Sequence, residues 1–589
     1  MQENGSIQEL PLSLPFFRNQ VEAFLRENGL RMEELDHYYA CTSPDGSILA
    51  GAGIKADIIK CVAVAPSARS EGFMLPLLSR VVSDAAAKGV LNLKVFTKPE
   101  NREIFESLGF KILASAPKAV LMENGRGLEK YCEYLLCQRQ PSARKCGVIV
   151  MNANPFTLGH KYLIEKALEQ VDHLFVIPVK EDASAFPYPE RLAMIRSANA
   201  SPAHADARIT VLEGSDYCIS AATFPTYFLK DLSDAAETQM TLDIDLFERH
   251  IMPALGATVR FVGSEPMDPL TARYNALMHN AVVIPRLEAI SASAVRAAIE
   301  AGDYASAAAL CPVTTHPYLL AALAERALLL ELNTPMKPGL VGPDGPGAHK
   351  DMDYDTMLKG IKALRPFWSR MAMASGPDEL RSLGIEAEKA MLSATGGVNT
   401  HRGAIFALGM AVNAVGRRTE TIDNEQVMQN ALCEIAQGIL HNYLNDNKLH
   451  STLVGARRIA LNGYRELFTD WLPYYRKAMK DTLSSASLRD PIRANAPEMV
   501  SFTALQMTLL RIMSTLDDTC VIKRVGYDRA QEVKREAAAL LASAQPSASA
   551  SPTLADALKD MCIRYAQEGI SPGGAADMLA LTIFFDSII

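Results

Sequence analysis

The sequence predicts a multidomain chain with three fold classes in series: a mixed α+β segment over residues 1–130, an α/β segment with a parallel sheet over 145–312, and an all-α segment over 317–589. Three observations carry this. At 589 residues the chain is too long for one hydrophobic core. Between residues 147 and 262 short β-type runs alternate with helical patterns, as crossover units do. Beyond Pro317 the strand signals nearly vanish, and apolar, alanine-rich residues recur at helical spacing.

In the first segment residues 38–42, 48–54 and 58–64 are β-type runs with a Pro44-Asp45-Gly46 turn between the first two. An amphipathic helix over 70–88, a strand over 92–97 and a helix over 102–108 follow. The second segment reads as strands at 147–151, 173–179, 209–212 and 258–262, with helices at 158–170 and 189–200. In the third, helices are expected at 318–333, 354–368, 380–393, 403–415, 425–443, 500–516, 528–542 and 553–568. The Pro/Ala/Ser-rich stretch 543–551 reads as a flexible link, and 311–317 as the boundary with the second segment.

The bulk properties exclude several function classes. A formal charge of -8 and a pI near 5.9, without any Lys/Arg run, leave no phosphate-tracking stripe and argue against nucleic-acid binding. The start of the chain lacks a basic region followed by an apolar core, and no window of 18 apolar residues occurs, so a cytoplasmic protein with no membrane partner is expected. Ten cysteines without CxxC spacing fit free thiols in a reducing compartment.

Chemistry is concentrated in two elements of the second segment, Gly147-Val-Ile-Val-Met-Asn-Ala-Asn-Pro-Phe-Thr-Leu-Gly-His160 and Ile290-Ser-Ala-Ser-Ala-Val-Arg296. A β-run that stops at a polar proline turn and opens a helix presents unpaired N–H groups and partial positive charge, which suits a triphosphate. Gly159 allows close backbone approach, and Thr157 and His160 can donate to a phosphate as charge builds on departing pyrophosphate. Ser291 and Ser293 add donors, and Arg296 a fixed cation. Asn152, Asn154 and Phe156 of the turn are further candidates for nucleotide contacts. So are Lys180, Arg191, Gly263 and Glu265, in polar loops after later strands, with Arg191 suited to a phosphate or carboxylate; Glu181 and Asp182 lie in the same loops.

The paired elements resemble the T/HxGH and ISxxxR motifs of the nucleotidyltransferase superfamily. Upstream, Ala65-Pro-Ser-Ala-Arg-Ser-Glu-Gly72 resembles the acyl-CoA loop of GNAT-type acetyltransferases, with Arg69 and Gly72 at the anion site, although Met74 stands where that family has Gly or Ala. Together with Glu-Asp-x-Ser-x-Phe-Pro and Gly-Ser-Glu-Pro…Tyr-Asn, residues 1–312 resemble citrate lyase ligase. The resemblance implies a GNAT-like N-terminal module and an ATP-dependent acetylation of the thiol of citrate lyase's prosthetic group. Acetate attacks the α-phosphate, pyrophosphate leaves, and acetyl-AMP passes its acetyl group to the thiol on the acyl carrier subunit. Thr157, His160, Ser293 and Arg296 would then stabilise the pentavalent phosphate, with Mg²⁺ on the triphosphate.

The helical segment carries five polar islands: Asn333-Thr-Pro-Met-Lys-Pro-Gly-Leu-Val341, Gly347-Ala-His-Lys-Asp-Met-Asp353, Thr395-Gly-Gly-Val-Asn-Thr-His-Arg-Gly403, Leu516-Asp-Asp-Thr-Cys-Val-Ile-Lys-Arg524 and Ser571-Pro-Gly-Gly-Ala-Ala-Asp577. Lys337, His349, Lys350, Asn399, His401, Arg402, Lys523 and Arg524 are candidates for phosphate binding, and Asp351, Asp353, Asp517 and Asp518 for Mg²⁺. The islands resemble triphosphoribosyl-dephospho-CoA synthase. That family's reaction displaces adenine from ATP by a ribose hydroxyl of 3′-dephospho-CoA, and Asp351 and Asp517 are the candidates, in either order, for a carboxylate near the anomeric carbon and an acid for departing adenine. Two departures stand out: 462–474 lacks a Gly-Glu-Ala pattern while keeping Arg465 and Glu466, and Cys520 replaces a frequent Asn. The two resemblances converge on one pathway, a bifunctional citrate lyase maturation enzyme. The alternatives are a synthase serving malonate decarboxylase, or one half acting as a scaffold that docks the carrier subunit.

Overall fold

A computed structural model describes residues 6–69, 71–180, 184–199, 208–217, 232–264, 269–418, 424–441, 444, 455–489, 497–543 and 554–589. Glu181, Asp182, Glu265 and nearly all of the 543–551 link lie outside them. The chain divides into two compact units, one of residues 1–154 and 158–289, the other of 155–157 and 290–589.

The first unit holds two sheets. One contains β1 (Ile7–Leu10), β2 (His37–Thr42), β3 (Ile48–Lys55), β4 (Ile58–Val64), β5 (Leu93–Thr97), β6 (Lys111–Ser115) and β7 (Val120–Asn124), in the order β1-β2-β3-β4-β5-β7-β6. Its pairs are antiparallel except β4 with β5, which run parallel and meet only at Ile58↔Lys94 and Ile59↔Val95. Alternating side chains fix the two faces. Tyr39 and Cys41 pack with Leu77, Leu78 and Val81 of the helix Met74–Ala87, whereas Tyr38 and Ala40 pack with Val21, Phe24 and Leu25 of the helix Pro15–Glu27.

The second sheet contains β8 (Cys146–Met151), β9 (His173–Pro178), β10 (Ile209–Val211), β11 (Val259–Gly263) and β12 (Ala281–Ile284), all parallel, in the order β10-β9-β8-β11-β12. Strand β9 is buried along its whole length, as a strand covered on both faces must be. The winding reverses between β8 and β11, and in such sheets ligands sit at that switch point, beyond the carboxyl ends of the strands. Residues 152–160 leave β8 there.

The second unit is helical. Its hub is the helix Gly573–Asp586, buried over most of its surface against the helices His316–Asn333, Arg402–Gly416, Leu472–Arg489 and Pro497–Thr515. A helix apolar on every side shows no amphipathic period, so its opening island Ser571-Pro572-Gly573-Gly574 is visible in the sequence while its body is not. The helices Ala292–Ala301 and Tyr304–Ala309 belong to this unit too: Tyr304 N–H donates to the Ser587 carbonyl (3.0 Å) and Arg326 Nε to the Glu300 carbonyl (2.9 Å). The altered stretch 462–474 folds as a turn, with Tyr464 at φ 53°, running into a π-helical turn Leu467–Trp471. Among the described residues no helix is long and apolar enough to cross a membrane, and every cysteine is a free thiol.

Candidate functional sites in the two units

In the first unit, the loop after β8 contains one left-handed residue and is hydrogen-bonded by one arginine. Ala153, fully buried, adopts φ 49°, a left-handed conformation that costs a non-glycine residue about 1–2 kcal/mol and points to a functional constraint. It turns Asn152 and Asn154 apart. Asn154 Oδ1 accepts from the Phe186 N–H (3.0 Å), and Asn152 Oδ1 from Arg191 Nη1 (2.9 Å).

Arg191 departs from its expected role. It is fully buried, and its guanidinium donates to the carbonyls of Phe186 (2.9 Å), Asn152 (2.8 Å) and Val179 (2.7 Å). Its charge fastens the loop after β8 to the loop after β9 instead of meeting a phosphate. Lys180, at the exit of β9, pairs with Asp216 across 3.5 Å on the surface. Gly263 ends β11 with open space where a Cβ would stand.

His160 lies in the first turn of the helix Leu158–Leu168, with Gly159 before it. Burial pushes its imidazole down to about 4, and the positive charge of Arg286 acts in the same direction. His160 is therefore neutral at physiological pH and carries one N–H to donate. Arg286, two residues past β12, was not singled out from sequence; the signal was a lone arginine directly after a short β-run, too common to stand out.

The remaining nucleotide candidates fall in the second unit. Thr157 is buried there, and the Phe156 carbonyl accepts from Thr315 Oγ1 (3.0 Å). Ser291 caps the helix Ala292–Ala301 by accepting from the Ala294 N–H (3.0 Å), and its hydroxyl meets that of Ser293 at 3.0 Å. Arg296 lies half-buried one turn into this helix.

The five helical islands, far apart in sequence, fold onto one another. His349 Nε2 meets Ser571 Oγ at 2.8 Å, and Arg524 Nη2 donates to His349 Nδ1 at 3.2 Å. Asp518 accepts from the N–H groups of Cys520 (2.8 Å) and Ala575 (2.9 Å). Gly403 has no room for a side chain, because a Cβ would collide with the Asp577 carboxylate. Likewise a Cβ on Gly339 would strike the Ile570 carbonyl. The island glycines thus let one island touch the next.

Several predicted ligands in this unit have structural duties instead. Lys337 is buried with Glu331, 2.5 Å from its Nζ, and burial lowers the lysine's affinity for its proton. Asp353 caps the helix Tyr354–Met373, accepting from Thr356 N–H (2.9 Å) and Oγ1 (2.6 Å). Asp517 pairs with Lys534 (2.8 Å) and Arg458 (3.4 Å). Asn399 accepts from the Arg402 N–H (3.1 Å), and Arg402 pairs with Glu388. Asp351 is exposed, 3.6 Å from His349. The four aspartates expected to share Mg²⁺ do not converge: among the described residues no group of three or more His, Cys, Asp or Glu forms a metal-ligand set.

What converges is a set centred on Asp577, which the sequence did not single out, with Asp518 and His401, which it offered for other roles. Burial, reinforced by the negative charges of Asp518 and Glu331, raises Asp577 well above the usual carboxylate range, against one N–H bond from Ala404. Burial also raises Asp518, while four backbone N–H groups pull it back toward ionisation. His401 is buried, and burial with the charge of Lys337 pushes it down to about 3. Its Nδ1 meets Thr400 Oγ1 (2.8 Å), while Nε2 has no partner; the buried Tyr464 hydroxyl has none either. Buried polar atoms without partners mark places where a ligand can complete the bonding.

The two halves match two different families. Residues 146–319 match the model of the citrate lyase ligase C-terminal domain, and 317–589 that of ATP:dephospho-CoA triphosphoribosyl transferase. A [citrate [pro-3S]-lyase] ligase of Haemophilus influenzae is 42% identical over 337 residues, covering 54% of this chain and 97% of that protein. The Escherichia coli ligase is 39% identical over 319 residues, 51% of this chain and 89% of that one. A 2-(5''-triphosphoribosyl)-3'-dephosphocoenzyme-A synthase of Haemophilus ducreyi is 31% identical over 301 residues, 46% of this chain and 88% of that one. Each half thus spans nearly the full length of its relatives, and the chain belongs to the citrate lyase ligase family over its first half and to the triphosphoribosyl-dephospho-CoA synthase family over its second, which makes it a bifunctional enzyme of citrate lyase maturation.

Proposed function

We propose that the first half activates acetate with ATP and delivers the acetyl group to the prosthetic-group thiol on the citrate lyase acyl carrier subunit, and that the second half makes the precursor of that group from ATP and 3′-dephospho-CoA. The observation that carries the ligase reading is the position of residues 152–160 at the switch point of the parallel sheet. Neutral His160 donates a hydrogen bond to the phosphate oxygens as negative charge accumulates, and Arg286 supplies fixed positive charge beside it. By the resemblance to the T/HxGH and ISxxxR motifs, Thr157, Ser291, Ser293 and Arg296 are further candidates for phosphate contact. Carboxylate attack on the α-phosphate needs no protein nucleophile. The GNAT-like reading of the N-terminal module draws support from the single parallel step between β4 and β5, whose strands pair over two residues only and then part.

In the helical half the reading rests on the convergence of the five islands around Asp577. Adenine leaves when its ring nitrogen gains a proton as the C1–N bond breaks; a ribose hydroxyl gives up its proton as the new C1–O bond forms. A neutral and an ionised carboxyl side by side suit these two tasks. We assign the acid to Asp577 and the proton acceptor to Asp518, whose four backbone N–H bonds favour the carboxylate against its burial, in place of Asp351 and Asp517. Mg²⁺ rides on substrate triphosphate, which asks for one or two carboxylates and no protein cage. Incubation with ATP, Mg²⁺ and dephospho-CoA should release adenine, and incubation with ATP, Mg²⁺, acetate and the deacetylated carrier should release pyrophosphate. A chain that produces neither defeats the proposal.

A further inference from the structure

The acidic cluster has a neighbour that the reaction scheme leaves unassigned: a cavity of about 310 Å³ within the helical unit. Leu380, Phe406 and Met410 form its apolar floor, and Arg381, Arg402 and Arg457 carry guanidinium groups at its mouth. Three arginines and one glutamate thus line the cavity, and Glu388 pairs with Arg402. Gly384 opens onto it, with nothing within 4 Å of the position a Cβ would take. Gly403 is shared: it lines the cavity and also lies against the Asp577 carboxylate.

We propose that this cavity is the nucleotide subsite of the transferase half, with a purine ring against Leu380 and Phe406 and the 5′-polyphosphate at the arginine mouth. The assignment rests on the transferase reading above and adds the location. An apolar floor with convergent cations fits an aromatic polyanion and neither a neutral nor an all-charged ligand. The volume lies at the small end of ligand pockets, enough for a nucleoside and not for a whole coenzyme. ATP and dephospho-CoA share this adenosine 5′-polyphosphate chemistry, and experiment separates them.

Two variants test it in the full-length protein. Gly384→Leu fills the cavity from the middle of the helix Pro377–Ala394, where leucine is a better helix former than glycine, so the fold is kept. Arg381→Ala/Arg457→Ala removes charge at the exposed mouth. Both should raise the KM of adenine release at least tenfold for one nucleotide, with kcat within about threefold and melting temperature unchanged or higher. A rise for ATP places the donor in the cavity; a rise for dephospho-CoA places the acceptor. Acetate-dependent pyrophosphate release is the internal control and should not move. Unchanged KM values for both nucleotides, or a fall in kcat alone, overturn the subsite. Failure of the parent protein to release adenine would instead overturn the transferase reading on which it rests.

Discussion

Where β8 ends, the candidate catalytic group is a neutral imidazole beside a cation; around Asp577 in the helical unit, burial reinforced by the negative charges of Asp518 and Glu331 favours the protonated carboxyl. Both environments are desolvated, and both are proposed to handle ATP. The first favours a hydrogen-bond donor aimed at an oxyanion, which is what pyrophosphate departure asks for. The second favours proton donation to a leaving base. Equal burial therefore yields opposite chemistry, according to the charges that share the site.

The largest effects break this comparison at its two centres. Asp577→Asn should lower adenine release by roughly 10²–10⁴-fold while sparing pyrophosphate release, because the amide cannot supply the proton. His160→Ala should lower pyrophosphate release by about 10²–10³-fold while sparing adenine release. Product assays on the same preparations decide it; one variant that stops both reactions would mean the sites are not independent.

Next in size is a change of stability. Arg191→Ala removes the buried donor to the carbonyls of Phe186, Asn152 and Val179, and should cost about 3 kcal/mol in urea denaturation. Arg191→Lys should rescue it poorly, since an ammonium cannot span the three acceptors as a planar fork does. A phosphate-binding Arg191 would instead leave stability intact and raise the KM for ATP.

These cases show what was legible. Four of the five strands of the parallel sheet, the helices Leu158–Leu168 and Tyr188–Asn199, and the islands of the helical segment followed from periodicity and from Gly/Pro punctuation. Strands β1, β6, β7 and β12 did not, being four or five residues long without strong turn signals. Side-chain duty was harder still. Arg191, Lys337, Asp353 and Asp517 are the right residue types for a nucleotide site, but a local sequence does not reveal which carbonyl, glutamate or lysine reaches them first. Asp577 was passed over because its importance comes from Asp518 and Glu331, 59 and 246 positions away in the chain, whose fields meet only after folding.

Acidity should separate the two sites by sign. His160 falls from 6.5 to about 4 on folding, so the unfolded chain binds the extra proton, and its contribution to stability is present above about pH 6.5 and lost as pH falls toward 4. Asp577 is raised on folding, so its contribution is present below its unfolded value of 3.8 and lost as pH rises through the folded one. Relative to the parent, His160→Gln should flatten the acid side of a stability-versus-pH curve, and Asp577→Asn the neutral and alkaline side, where it should be the more stable protein. A parent curve that Asp577→Asn leaves unchanged would mean that the carboxyl is ionised in the fold.

The smallest effect sharpens the distinction between ligand and cap. Asp353 accepts from the N–H and hydroxyl of Thr356, and these bonds hold its carboxyl below the usual carboxylate value. Asp353→Ala should lower the melting temperature slightly, and Asp353→Asn or Ser should recover most of the loss, since either side chain can accept from the same N–H. If Asp353 bound Mg²⁺ instead, neither replacement would restore an anionic ligand, and adenine release would show a raised Mg²⁺ requirement at unchanged stability. A loss of stability recovered by a neutral cap, with the Mg²⁺ titration unmoved, assigns Asp353 to the helix and leaves proton chemistry to Asp577 and Asp518.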